Sequence, residues 1–256
     1  MSDSLVNRIP PLVKGFGFGM FCLGATLALG VVLGSQSIGH AIARFNKDSP
    51  IQVKGLAEVE VVSDHSNWSA SVRARATTLP EAFEILEAGT TRLMEFIKSK
   101  GIIDIQTSTA EVNTTIIYSQ NSKGADSNKI ESYVLSQSTT IWSKSVLQVR
   151  DLAFSATDLI KEGVEIDSGR PNYYVSILDA IKLDLLEKAT LNGYARATVL
   201  AKGSKSSVGG LISASQGVFQ IVPAGSTDVS DYGYNDTSAI RKSVRATVSL
   251  SYSVSN

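Results

Sequence analysis

Two histidines and one cysteine bound the chemistry open to this 256-residue chain. His40 borders an apolar segment, and His65 stands in the turn Ser63-Asp64-His65-Ser66. A carboxylate, an imidazole and a serine hydroxyl are the parts of an acyl-transfer triad. That triad needs the imidazole in the middle, bonded to the carboxylate through one nitrogen and to the hydroxyl through the other. Adjacent side chains on a turn rarely hold such a line, and no serine lies in a Gly-x-Ser-x-Gly elbow. The expectation is a solvated turn histidine with no catalytic role. Cys22 lies within the apolar segment, so the rest of the chain has no thiol for nucleophilic attack, disulfide formation or thiolate zinc binding.

Asp228, Asp231 and Asp236 fall in one loop with Tyr232, Gly233, Tyr234 and Asn235. Clustered carboxylates are the ligands of Ca²⁺, but the spacing is not that of a twelve-residue EF-hand loop. These read as solvated turn residues, and no metal or cofactor is expected. Gly203-Ser204-Lys205-Ser206-Ser207 has phosphate-loop composition, yet it lacks the GxxxxGK[ST] spacing and follows a helix where a phosphate loop must precede one. Asp158 with Glu162, and Asp184 with Lys188, are ordinary helix-surface spacings. Lys plus Arg number 24, as do Asp plus Glu, with no basic stripe and no aromatic stacking platform. Nucleic acid is therefore not an expected partner.

The elements that would position these residues follow from periodicity and punctuation. Residues 51–61 and 68–76 read as two strands joined through the Asp64-His65 turn, with Gly55 as a candidate bulge in the first. Thr78-Leu79-Pro80-Glu81 reads as a helix start with a Thr cap, Glu in the capping-box position and Pro in the first turn. Ala82, Ile85, Leu86, Gly89, Leu93, Phe96 and Ile97 then share one face until Lys100-Gly101 stops the helix. Strands are expected at 105–118 and 129–142 around an exposed polar hairpin tip, followed by a helix at 146–162 and a strand at 165–175. The strongest helical pattern runs from Ser176 to Lys202, about 40 Å long, with Leu178, Ile181, Leu185, Ala189, Ala197 and Leu200 recurring at helical spacing. Strands near 208–222 and 240–254 close the domain around the Pro223–Ser238 loop. The order reads as two related halves rich in paired strands. The fold class is α+β, antiparallel strands with two or three helices including one long helix.

Ahead of this domain, residues 15–42 contain no Asp, Glu, Lys or Arg, and the apolar centre runs from Phe16 to Leu33. About 20 such residues cross a hydrocarbon core about 30 Å thick as a helix. A single N-terminal transmembrane helix at 15–36 is expected, with a short tail at 1–14, a connector at 37–50 and the domain at 51–256. Ala41-Ile42-Ala43 has the small-x-small form of a signal-peptidase site, leaving cleavage after Ala43 as the alternative. Arg8 and Lys14 on one side balance Arg44 and Lys47 on the other, and the free amino terminus tips the orientation toward N-terminus inside. Gly15 and Gly19 form one GxxxG pair, and Gly30 and Gly34 another. Gly19 and Gly30 lie only about 20° apart around a helix, so both pairs share a face on which a second helix can pack.

Ile51-Gln52-Val53-Lys54-Gly55 opens the domain, and Lys100-Gly101-Ile102 and Asp104-Ile105-Gln106-Thr107 follow its first long helix. In the second long helix, Glu187-Lys188-Ala189, Ala195-Arg196-Ala197 and Leu200-Ala201 precede Val208-Gly209-Gly210-Leu211-Ile212. Together, in this order, these segments resemble the SIMPL domain family of bacterial periplasmic and membrane-anchored proteins. The family's usual Gly-x-Gly at the first strand is Gly55-Leu56-Ala57 here. The resemblance implies an α+β domain outside the cytoplasm, ring-like or channel-like homo-oligomers in some members, and a loose association with envelope or oxidative stress. It implies no catalytic residues. In a bacterial envelope protein the glycosylation triplets at Asn67, Asn113 and Asn235 are chance matches. The expectation is thus a non-catalytic protein of the inner membrane with its large domain in the periplasm, contacting the lipid bilayer and self-assembling as a scaffold or channel-like ring. The alternative is a ligand- or partner-binding module acting through Asp228, Asp231, Tyr232 and Tyr234.

Overall fold

The computed structural model describes residues 50–120, 126–228 and 230–255. The expected anchor and its glycines Gly15, Gly19, Gly30 and Gly34 lie outside the described residues. Among the described residues no helix is long and apolar enough to cross a membrane. These residues fall into two compact units: a small one of 50–52, 197–213 and 251–255, and a larger one containing the rest.

The larger unit is built first around a sheet whose centre is β2 (His65–Ala76). Its alternation is clean: Trp68, Ala70, Val72 and Ala74 are buried, while Ser69, Arg73 and Arg75 are exposed. That pattern requires one covered face and one wet face. The cover is supplied by α1 (Leu79–Ser99) and α2 (Val146–Ser155). Strands β3 (Gln106–Thr109) and β4 (Asn113–Gln120) both pair with β5 (Asp126–Ser143), and β5 pairs with β2. On the other edge of β2 lie β6 (Glu165–Ser168) and β7 (Asn172–Tyr174). All of these pairings are antiparallel. Counting β3 with β4, and β6 with β7, as interrupted single lanes gives β-α-β-β-α-β order, the split βαβ arrangement.

The strand β1 (Ile51–Val62) belongs to a different sheet, beside β11 (Arg241–Ser255). The two strands flanking the Asp64-His65 turn therefore part company, and the expected halves divide differently. On the other side of β11 lie β8 (Ser207–Gln216) and β9 (Gln220–Pro223), and the two-residue β10 (Tyr234–Asn235) runs parallel to β9. The long helix α3 is Leu178–Gly203. Among the described residues, the α+β class with one long helix among three is the observed one.

Gly55 is not a bulge marker. A Cβ there would strike the carbonyl of Ala189 and the amide of Gly193 on α3, so the glycine allows the helix backbone to lie against the strand. Gly193 makes the reciprocal accommodation beside the Gly55 Cα. Along α3 the buried positions are Leu185, Ala189, Gly193, Ala197 and Ala201. A spacing of four residues advances about 40° beyond a full turn each time, so this stripe winds around the helix and leaves Leu200 exposed, contrary to expectation.

Other departures have local causes. Thr78 occupies the N-cap with extended backbone, but its side chain makes no cap hydrogen bond, and Thr77 faces Glu81 instead at 3.5 Å. Ile85 is exposed and not part of the buried face. The expected 146–162 helix tightens after Ser155 into a 3-10 helix, Ala156–Glu162, ended by left-handed Gly163. The 165–175 strand breaks at Gly169-Arg170-Pro171, where Pro171 has no N–H to give the ladder. The 105–118 strand breaks at Ala110-Glu111-Val112, and the 208–222 strand at Gly217-Val218-Phe219.

Candidate functional site

The structure brings Asp64, His65 and a serine together, but in the wrong order for catalysis. His65 Nδ1 lies 2.9 Å from Asp64 Oδ1. The serine is Ser176, whose hydroxyl donates to Asp64 Oδ2 and whose N–H donates to Asp64 Oδ1 at 2.9 Å. The carboxylate is thus the centre of the cluster, and the imidazole does not touch the hydroxyl it would have to deprotonate. The arrangement ties the β1–β2 turn to the approach of α3. Burial pushes the Asp64 carboxyl up, but the hydrogen bonds from His65 and Ser176 outweigh it and hold the group at about 2.

A stability consequence follows. Asp64 stays ionised in the fold well below the ordinary carboxylate value of 3.8, so its contribution is full above that value and is lost as pH falls toward 2. The side chain is 44% exposed, so solvent screening limits the effect to about 1 kcal/mol or less. Asp64→Asn is expected to flatten the acid limb of a stability–pH curve between 4 and 2. His65→Ala, by contrast, should change neutral-pH stability by about 0.5 kcal/mol or less. Urea titrations at a series of pH values check both.

The Pro223–Ser238 loop is anchored at its base. Lys242 and Asp236 are only 2% and 4% exposed, and Lys242 Nζ donates to Asp236 O at 2.5 Å and to Oδ2 at 3.2 Å. Asp236 also accepts from Ser238 Oγ at 2.6 Å and Ala239 N at 2.9 Å. Burial raises the Asp236 carboxyl, but these donors outweigh it and leave the group below its usual value. For Lys242 burial dominates, and its ammonium is held below the usual lysine value. Gln220 clamps the loop from β9, donating to Ser230 O at 2.5 Å and accepting from Ser230 N at 3.3 Å.

Of the three aspartates considered for Ca²⁺, Asp236 is committed to Lys242 and Asp228 accepts from Ser226 Oγ at 2.7 Å. Among the described residues no group of three His, Cys, Asp or Glu side chains converges. Of the partner-loop residues, Tyr232 is 97% exposed and Tyr234 is about half exposed. The buried Lys242 was the residue that sequence reasoning missed. Its only signal is a lysine at an inward position of the β11 alternation, two before Val244.

A cleft of about 650 Å³ opens where β6 and β7 separate, lined by Phe154, Ser168, Arg170, Pro171, Tyr173 and Ser238 among others. This is a ligand-sized volume. Its polar groups are largely spent internally, since Trp68 Nε1 donates to Ser168 Oγ at 3.1 Å and Ser168 donates to Ala153 O at 2.9 Å. Burial pushes the Tyr173 phenol up, away from any role as a base at neutral pH. The cleft brings together no nucleophile and base.

The surface is richer in apolar groups than in chemistry. Leu183 and Leu191 on α3 are more than half exposed, and so are Leu211 and Ile212 of β8. Contiguous exposed apolar patches mark contact surfaces, whereas single exposed apolar residues are ordinary.

No curated protein matches the chain. A solved structure titled "De novo designed protein Foldit4" is 15% identical and aligns over 41% of this chain and 94% of its own, with a TM-score of 0.23. That score is too low to establish a common fold. The family described as "SIMPL: Protein of unknown function (DUF541)" matches residues 51–252, spanning both described sheets and the three described helices. The chain belongs to the SIMPL family.

Proposed function

We propose that this protein is a non-catalytic, membrane-anchored module of the cell envelope whose periplasmic domain self-assembles into a scaffold or channel-like ring. The observation that carries the reading is the exposed apolar surface on regular elements, above all Leu211 and Ile212 on an edge strand. Supporting it, the Asp64–His65–Ser176 cluster among the described residues is wired as a structural brace. The uncharged segment at 15–36 supplies the anchor, and its shared glycine face gives copies a second place to meet. An envelope or oxidative-stress role is part of the same proposal.

Size-exclusion chromatography with light scattering on residues 50–256, over a wide concentration range, tests the assembly. The expected result is a mass of at least two copies, and a strict monomer at the highest concentration would overturn it for this domain. Membrane fractionation tests the anchor. The chain should resist extraction by high salt and be released by detergent.

A second reading is favoured by one observation: Tyr232 stands almost fully exposed at the tip of a loop whose base is rigidly clamped. Tyrosines presented this way suit protein contacts. If the loop captures a partner, Tyr232→Ala should abolish capture and leave the light-scattering mass unchanged.

A further inference from the structure

Between the end of β6 at Ser168 and the start of β7 at Asn172, the chain breaks its ladder with β2. Gly169 stays close: its N–H donates to Ser69 O at 3.0 Å, and a Cβ there would stand 2.8 Å from that oxygen. Pro171 has no N–H to resume the pairing. Arg170, between them, is exposed and belongs to no ladder pair. The space between this break and the end of α2 is the cleft of about 650 Å³.

Two groups lining the cleft have chemistry to spare. Arg170 has no ion pair and no hydrogen bond among the described residues. A second cleft, of about 500 Å³, shows the contrast: its guanidiniums Arg73, Arg75 and Arg92 are answered by Glu165, Glu131 and Glu162. Tyr173 is only 6% exposed, and its phenol makes no hydrogen bond among the described residues. A buried hydroxyl left without a partner is costly and uncommon. The fully enclosed side-chain oxygens without partners are those of Ser63 and Thr139. The Tyr173 oxygen therefore keeps contact with open space, and the cleft is the space this residue lines.

The other polar side chains do not compete. Ser168, Thr157 and Ser238 give their hydroxyl protons to Ala153 O, Phe154 O and Asp236 Oδ1. No carboxylate lines the cleft. Phe154 presents a ring that is 75% exposed, and Pro171 adds a second apolar surface. One unpaired cation, one free O–H donor and an apolar wall remain.

We infer that this cleft binds a small organic monocarboxylate with an apolar body about the size of an aromatic ring. A guanidinium presents two parallel N–H groups that match the two oxygens of a carboxylate. The Tyr173 O–H, kept protonated at neutral pH by burial, supplies a further donor. Phe154 and Pro171 receive the apolar body. A phosphate monoester carries close to two negative charges at neutral pH, and one arginine leaves the second uncompensated. The lining residues all belong to the larger unit. The site goes beyond the self-assembly reading and does not depend on it.

Isothermal titration calorimetry of the full chain in lipid nanodiscs, with empty nanodiscs subtracted, tests the site with sodium phenylacetate as the probe. Saturable binding is expected at concentrations up to about 20 mM. Arg170→Gln should weaken it at least about tenfold, and Tyr173→Phe about fivefold. Thermal unfolding should be unchanged in both, because Arg170 has no partner to lose and Phe keeps the ring in place. Phenylacetamide keeps the body and lacks the charge. It should bind the unsubstituted protein at least about tenfold more weakly than phenylacetate and be indifferent to Arg170→Gln. No saturable binding of phenylacetate, or binding of full strength in Arg170→Gln, would overturn the site. Tighter binding of phenyl phosphate, or of a tripeptide ending in phenylalanine, would overturn the ligand class.

Discussion

Lys242→Ala is expected to destabilise the domain by about 3–5 kcal/mol, because it leaves the Asp236 carboxylate buried without its cation. The ammonium is one of the largest fully buried side chains, and its partners come from the base of the loop six residues earlier. Asp236→Ala should cost a similar amount by the converse route, stranding the ammonium. The two losses should not add, since the double variant leaves neither charge uncompensated. Urea unfolding of the two singles and the double measures this. Additive costs would show that each group is held by something other than its partner. The loop should also loosen in either single variant, seen as faster amide exchange over 230–238, because Asp236 organises Ser238 and Ala239 as well.

Gly55→Ala is the second large effect. A single methyl at this position meets the Ala189 carbonyl and the Gly193 amide, both main-chain atoms of a long helix that cannot rotate away. Overpacking against side chains costs about 1–3 kcal/mol, and a clash with backbone belongs at or above the upper end of that range. Gly193→Ala should be milder, since the nearest atom is the Leu250 Cδ1, which can change rotamer. Gly210→Ala is the control: nothing lies within 4 Å of the added carbon, and a change within about 0.5 kcal/mol is expected. Thermal unfolding of the three variants under one condition ranks them. A Gly55→Ala protein as stable as the Gly210→Ala protein would refute the close helix-to-strand contact.

These two sites also mark where the sequence could and could not be read. The face of α1 was legible because Ala82, Leu86, Gly89, Leu93 and Ile97 repeat at three and four residues, and Lys100-Gly101 gives a stop with its own chemistry. The alternation of β2 was legible for the same reason. Sheet membership was not. Nothing local in 51–76 tells that β1 leaves β2 to join β11, because strand pairing across nearly two hundred residues depends on the whole topology. Gly55 showed the same limit: a glycine inside a strand signals either a bulge or a close approach, and only the position of α3 decides between them.

At the candidate site, Asp64 and His65 stand side by side in the sequence, and the structure adds the order of their hydrogen bonds. The sequence alone could not supply Ser176, which lies 112 residues from Asp64 and converts the cluster into a brace. The aspartate loop gave up its chemistry only with Lys242 in view. A lysine between Arg241 and Ser243 reads as surface until the strand's inward positions are known. The apolar exposure of β8 was also hidden, since Leu211-Ile212 in an uncharged strand would serve equally well as buried core.

The proposal of a self-assembling envelope module is tested most directly by native mass spectrometry of the intact chain released from detergent micelles. The prediction is a set of masses at integer multiples of the chain mass, two or more. A spectrum holding only the single-chain mass, at concentrations where the protein remains folded, would contradict it.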